Sequence, residues 1–289
     1  MQRSEVVWAV TAWYADHARD LPWRTADATP WGIMVSEFML QQTPVSRVLE
    51  PWRRWLGRWP TPAALSAEEP GEAVRAWGRL GYPRRALRLH AAATTIVRDH
   101  GGEVPSDLDA LRALPGVGEY TAAAIASFAF GQRHAVLDTN VRRVLARLDA
   151  GQAAPSPGLT VAERKLAEAW LPDDPATAAR WAVAAMELGA QLCTAASPDC
   201  AACPVAEHCR WLAAGRPANA SVRRTQAYTG TDRQARGALL ATLREAVSPV
   251  PREDLLAAWP IAAEQAVRAL DSLIADGLIH QPTPGHFQL

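Results

Sequence analysis

Two carboxylates are placed where they could do chemistry. Glu37 lies in the stretch Trp31–Gln42 (WGIMVSEFMLQQ), and its i−4, i−3, i+3 and i+4 helix neighbours are Ile33, Met34, Leu40 and Gln41. On so apolar a face the charged form is disfavoured and the pKa rises, which makes a proton donor near neutral pH. Pairing with a buried arginine is the other use of such a glutamate. Asp138 follows the apolar run Ala135-Val136-Leu137 and precedes the helical pattern Val141, Val144, Leu145, Leu148. It therefore stands at a helix start, where amide donors and the helix dipole favour a negative charge, although many such aspartates are only caps. A desolvated acid and a stabilised anion together are what cleavage of a glycosidic bond needs. The first protonates the leaving group and the second faces the oxocarbenium-like centre.

A third group is made of sulfur. Cys193, Cys200, Cys203 and Cys209 are all the cysteines in the chain, spaced C-x6-C-x2-C-x5-C. With no secretory leader in the reading, such density argues for metal over disulfides. The spacing alone leaves four-cysteine zinc and a [4Fe–4S] cluster both open.

The elements that must carry these groups are helical. An amphipathic helix through Leu108, Leu111 and Leu114 leads into Pro115-Gly116-Val117-Gly118, then into a small-residue helix from 119 to 130. Both glycines are expected at φ > 0, so that the turn amides and the next helix N-terminus form a nest for a phosphate. This pattern reads as a helix-hairpin-helix. Formal charge is +0, so no global basic field advertises nucleic acid, yet arginines cluster at 47/53/54/58, 79/84/85/88 and 142/143/147. Such clusters are either solvated helix faces or local phosphate contacts. Arg24, beside two rigid residues in Leu21-Pro22-Trp23-Arg24, is counted with the DNA contacts. So is Tyr82, in a Gly-Tyr-Pro turn between arginines, where an aromatic either wedges between bases or plugs a helix junction. No apolar run is long enough to span a bilayer, so no membrane partner is expected and a cytoplasmic setting is.

Helices are expected over 4–18, 31–42, several segments of 44–100, and 160–192 with a proline break near 172–175. Residues 213–231 read as a linker. Helical patterns near 232–246, 252–258 and 262–276, then two short strands around Pro-Thr-Pro-Gly, suggest a winged-helix-like domain over 232–289. Its third helix carries Glu264, Arg268, Asp271 and Asp276, so it is no basic recognition helix and the domain is expected to brace the catalytic domains or contact a partner.

Taken together, LPWR (21–24), SEFMLQQT (36–43), LGY (80–82), LPGVGEYTA (114–122), LDTNVRRV (137–144) and the cysteine array resemble the MutY-type adenine DNA glycosylases of the helix-hairpin-helix superfamily. The resemblance covers roughly residues 5–212. It implies a mainly α, two-lobed glycosylase fold with an iron–sulfur cluster loop. Residues 1–20 and 136–212 would form the cluster domain, and 21–135 the helical barrel with the hairpin. It implies removal of adenine paired with 8-oxoguanine or guanine in double-stranded DNA, by a monomer acting on the bacterial nucleoid after flipping the base out. Glu37 would protonate adenine N7, and Asp138 would stabilise the oxocarbenium ion through a transient covalent bond. Tyr120 and Asn140 would hold these groups and the water, Gln42 and Tyr82 would enter the base stack, and the cysteines would ligate [4Fe–4S]. Endonuclease III-like enzymes carry a catalytic lysine where this chain has Tyr120, so Schiff-base chemistry is not expected. The chain departs from the pattern at Thr139, where glycine is commoner, and at Val183, where many members carry Glu or Gln. The winged-helix-like segment also stands where a Nudix-like domain is usual. Rival readings are an endonuclease III-like glycosylase/lyase and a non-catalytic iron–sulfur DNA-binding protein, though mere binding would not require a costly buried carboxyl.

Overall fold

The computed structural model describes residues 2–218 and 228–289, so part of the expected linker (219–227) lies outside the described residues. The helices in chain order are α1 (Arg3–His17), α2 (Pro30–Leu40), α3 (Val45–Arg58), α4 (Pro62–Ser66), α5 (Pro70–Trp77), α6 (Arg84–Asp99), α7 (Leu108–Ala113) and α8 (Glu119–Phe130). They continue with α9 (Thr139–Leu148), α10 (Val161–Trp170), α11 (Pro175–Gln191), α12 (Arg210–Ala213), α13 (Asp232–Glu245), α14 (Arg252–Ala257) and α15 (Ala263–Ala275). Prolines start α4, α5 and α11, where their missing N–H costs nothing.

The chain forms two compact units, and they interleave along the sequence. One comprises residues 1–37, 105–113 and 117–222. Its core joins Val6 and Val10 of α1, Val144 and Leu148 of α9, Trp170 of α10 and Trp181 and Leu188 of α11. Trp170 and Trp181 stack at 5.7 Å, and the Trp170 ring nitrogen donates to Asp149 at 2.9 Å. The small residues expected in α8 serve close packing, with Ala123 and Ala124 set against Val136 and Ala182.

The other unit comprises residues 38–104, 114–116 and 223–289. Trp55, Trp59 and Trp77 meet edge to face in its interior, at 4.6 and 5.6 Å. The C-terminal segment within it is a winged helix: α13, α14 and α15 with a small antiparallel sheet of β1 (Val250–Pro251), β2 (His280–Thr283) and β3 (His286–Gln288), in the order β1-β3-β2. Strand β1 is an addition to the sequence expectation. Two residues are too short for any alternation to show.

These units cut the chain differently from the expected domains. Residues 21–37 and most of 105–135 group with 136–212, and the winged helix groups with 38–104. The physical reason for the second grouping is contact. The Arg75 guanidinium donates to the carbonyls of Leu243 (3.1 Å), Arg244 and Ala246 (3.1 Å), the free C-terminal acceptors of α13. Likewise a side chain at Gly71 would lie 2.5 Å from the backbone of Leu289. These contacts join 232–289 to the α5 region inside this unit.

A second correction concerns α2, which ends at Leu40 and not at Gln42. Buried Arg85 takes up the carbonyls of Phe38 (2.8 Å), Met39 (3.1 Å) and Gln41 (2.6 Å), closing the helix end. Gln42 then turns with φ +57 ahead of Thr43-Pro44.

Candidate active site

The acid is where its sequence placed it. Glu37 is 6% exposed on α2. Burial above all, and next the negative charge of Asp138, push its carboxyl up; the Tyr120 hydroxyl, which donates a hydrogen bond to it, and the charge of Arg24 hold it down, and it settles at about 7. Tyr120 lies on the first turn of α8, so the helix after the hairpin brings the phenol to Glu37. Burial and the two carboxyls raise the Tyr120 pKa well above its usual value, so it stays a neutral donor.

Asp138 caps α9. One carboxyl oxygen accepts the Val141 N–H at 2.7 Å and the other accepts the Asn140 side-chain amide at 2.7 Å. The sequence suggested an aspartate in surroundings opposite to those of Glu37, and here the structure corrects it. Burial raises the Asp138 pKa too, against the pull of the Val141 and Asn140 hydrogen bonds and the charge of Arg143. What separates the pair is therefore hydrogen bonding: Asp138 holds fixed donors on both oxygens.

The site also contains residues that sequence reasoning missed. Glu187 on α11 is fully buried and binds Arg19 (2.6 Å) and Arg24 (2.7 Å), with Gln191 donating at 2.7 Å. Burial alone would raise its pKa, but the hydrogen bonds from Arg19 and the charge of Arg24 outweigh that and hold it near 2. Arg24, expected at DNA, is anchored to this carboxylate and sits 5.8 Å over the Tyr14 ring. Its charge reaches Glu37 from there. A signal in the sequence would have been Glu187 between Met186 and Leu188 in an apolar helix, the same kind of clue that marked Glu37.

Gly189 sets the spacing of α9 and α11. A Cβ there would lie 2.8 Å from Asn140 Cβ and 2.9 Å from the Asn140 carbonyl. Arg143 ties the same junction together, donating to the Asn140 side-chain oxygen, the Gly189 carbonyl and the Cys193 carbonyl, each at 2.7 Å. A continuous path of hydrogen bonds thus runs from Asp138 through Asn140 and Arg143 to the start of the cysteine loop.

The four thiols are half-buried. Cys193, Cys203 and Cys209 pack on the α9–α11 core. Burial pushes the Cys203 thiol up to about 11, and its three partner cysteines act on it electrostatically. Arg147 donates to the Thr194 carbonyl at 2.7 Å and approaches Cys193 Sγ at 3.4 Å. Among the described residues no three Cys, His, Asp or Glu side chains already converge on a common point.

The hairpin turn differs in part from expectation. Gly116 has φ +79, and a side chain there would meet Arg88 Cβ at 2.7 Å. Gly118 is extended at φ −92 and serves as N-cap of α8, with open space before it. Pro115 and Gly116 are partly exposed and Val117 is buried. The basic cluster on α9 is internal: Arg142 pairs with Glu163 at 2.9 Å, and Arg143 and Arg147 hold the cysteine loop. Gln42 and Tyr82 share a left-handed backbone, and Tyr82 is 52% exposed at φ +48. A cavity of about 330 Å³ opens beside Tyr120, but neither carboxyl lines it.

Residues 35–172 match the family model of the HhH-GPD superfamily of base excision DNA repair proteins. The adenine DNA glycosylase of Mycolicibacterium smegmatis is 52% identical over 279 residues, 96% of this chain and 94% of that protein. The human adenine DNA glycosylase is 42% identical over 210 residues, 70% of this chain and 38% of that protein. Among solved structures, a thermostable thymine-DNA glycosylase is similar at TM-score 0.65 and 26% identity, over 73% of this chain and 97% of that one.

Proposed function

This chain belongs to the adenine DNA glycosylases, base excision repair enzymes of the HhH-GPD superfamily, and from that membership we propose that it removes adenine opposite 8-oxoguanine or guanine by acid-assisted hydrolysis at Glu37 and Asp138. The observation that carries the reading is the buried Glu37 carboxyl, poised near pKa 7 against Tyr120 and Asp138. With the adenine flipped out of the duplex, protonated Glu37 donates its proton to adenine N7. The base then leaves neutral, taking the electrons of the N-glycosidic bond, and positive charge develops at C1′. Asp138, locked by Val141 and Asn140, supplies the counter-charge and bonds C1′ transiently, until water displaces it with net hydrolysis. Tyr120 orients Glu37. A phenol has no amine with which to form a Schiff base, which supports hydrolysis without strand cleavage.

The family's [4Fe–4S] cluster suits the donor set here: four thiols in one loop, in electrostatic reach of each other, with Arg147 beside Cys193. Cys193, Cys200, Cys203 and Cys209 would hold it, and its contribution would be to order the loop. The reading takes the protein as a monomer working on double-stranded DNA in the cytoplasm.

Excision from duplexes with adenine opposite 8-oxoguanine, guanine and thymine tests the proposal. Release from the first two and little from the third supports it, and no release from any of them refutes it. Borohydride trapping separates the lyase reading, because an efficient covalent adduct would contradict the role given to Tyr120.

A further inference from the structure

A groove of about 1330 Å³ lies inside the unit that contains the winged helix. Its walls are the 78–88 turn with the end of α2 on one side, and α13 on the other. Eight arginines line it and Asp276 is its only carboxylate, in a chain whose formal charge is zero. Asp276 is already shared between Arg236 (2.6 Å) and Arg84 (3.3 Å). Among the described residues Arg47, Arg79, Arg88, Arg233 and Arg244 have no carboxylate partner, so the groove holds an uncompensated positive field. Burial and the charge of Arg79 both lower the Arg244 pKa, which an arriving anion would relieve.

Two further features say what kind of anion fits. Exposed aromatic rings stand on both walls: Tyr82 on the turn, and Tyr228, 50% exposed, with the Arg233 guanidinium 5.0 Å over its ring. The floor is small, with Gly237, Ala238 and Ala241 between Arg233 and Arg244 on α13. Those arginines are eleven residues apart in the sequence, roughly 16 Å along the helix, which is the rise of about five phosphates of one DNA strand. The volume exceeds the roughly 300–1,000 Å³ of small-molecule pockets. Arginines spaced along a small-residue floor and edged by aromatics match a sugar–phosphate chain with bases to stack on.

We infer that this groove binds the sugar–phosphate backbone of the DNA substrate, with α13 of the winged helix, through Arg233, Arg244 and Tyr228, as its second wall. The inference rests on the substrate reading above and extends it to a domain for which the sequence suggested bracing or contact with a partner. That expectation was drawn from the acidic third helix, α15. The basic face is on the first helix instead.

The test is the salt dependence of duplex affinity, measured by fluorescence anisotropy on the full chain with matched and mismatched duplexes. Arg233→Gln and Arg79→Gln should each flatten the slope of log affinity against log salt by about 0.9, equally on both duplexes, and together by about twice that. Arg268→Gln, on α15 and outside the groove lining, should leave the slope unchanged. An unchanged slope in Arg233→Gln, or an equal loss in Arg268→Gln, overturns the inference. A benzoylphenylalanine in place of Tyr228 gives a second readout that does not depend on the stability of the arginine variants. Photo-crosslinking to DNA supports the groove, and its absence on a bound duplex overturns it. Wild-type adenine excision is scored separately: were excision absent while the slopes shifted, the activity reading would fall and the groove would stand.

Discussion

Replacing Glu37 by glutamine should stabilise the protein, and only in one range of pH. The Glu37 carboxyl is raised from 4.5 to about 7 in the folded chain. Below pH 4.5 it is protonated both folded and unfolded, and it contributes nothing to the difference. Between 4.5 and 7 the unfolded chain gives up the proton while the folded chain retains it, so stability declines as pH rises through that window. Above 7 the full cost of an ionised buried carboxyl is present. Integrated, this is about 3 kcal/mol at pH 8 and under about 1 kcal/mol at pH 5. Glu37→Gln keeps the shape and an acceptor for the Tyr120 hydroxyl but cannot ionise. Thermal melts of both proteins at the two pH values read the effect. The variant should melt roughly 6 °C or more above wild type at pH 8 and within a few degrees of it at pH 5. The same variant should bind a mismatched duplex and fail to release adenine. An equal shift at both pH values, or a loss of stability at pH 8, would show that Glu37 is not held as a desolvated acid. Wild-type excision under single turnover should fall tenfold per pH unit above about 7, because the acid must carry its proton.

Further outcomes follow from the same geometry. Asp138→Asn should lower single-turnover excision by about 10²–10³-fold, and a rate within threefold of wild type would remove its role as counter-charge. Glu187→Gln leaves the half-buried Arg24 and the more open Arg19 with a neutral partner, which should cost about 1–3 kcal/mol of stability in chemical denaturation; no loss at all would mean that the ion pairs do not form in solution. Gly189→Ala should cost about 1–3 kcal/mol and slow excision through Asn140, and normal stability would show that α9 and α11 are further apart than described. Purified protein should be brown, with broad visible absorption that oxidative loss of iron abolishes, whereas colourless active protein would overturn the cluster.

Much of the site was legible because it is local. The apolar neighbours of Glu37 lie within four residues of it, and the start signal of α9 lies around Asp138 itself. The winged helix was readable from three helical patterns and a turn. What stayed hidden is long-range. Glu187 is buried with arginines 163 and 168 residues away, and nothing near it in sequence announces them. Arg24 looked like a surface cation for the same reason. Gly116 and Gly118 are alike in sequence and differ only in what surrounds them, since Arg88 crowds the first and the second opens to space. The basic face of α13 was overlooked because the reading assumed that a winged helix must use its third helix. The end of α2 depended on Arg85, a residue that composition counts merely as charge.

The Glu187 ion pairs also bear on how the enzyme comes to be made. Translation delivers α2 first and α11 about 150 residues later, which at about 5–20 residues per second is roughly 8–30 s. Throughout that interval Arg24 lacks its anchor and, for most of it, Glu37 lacks Tyr120 and Asp138. A glutamate in that state ionises like any other. The helix bearing it is a sticky surface for chaperones to shield. These ion pairs close only when α11 arrives, so any nascent chain that stops short of Glu187 carries Arg24 without the carboxylate that anchors it.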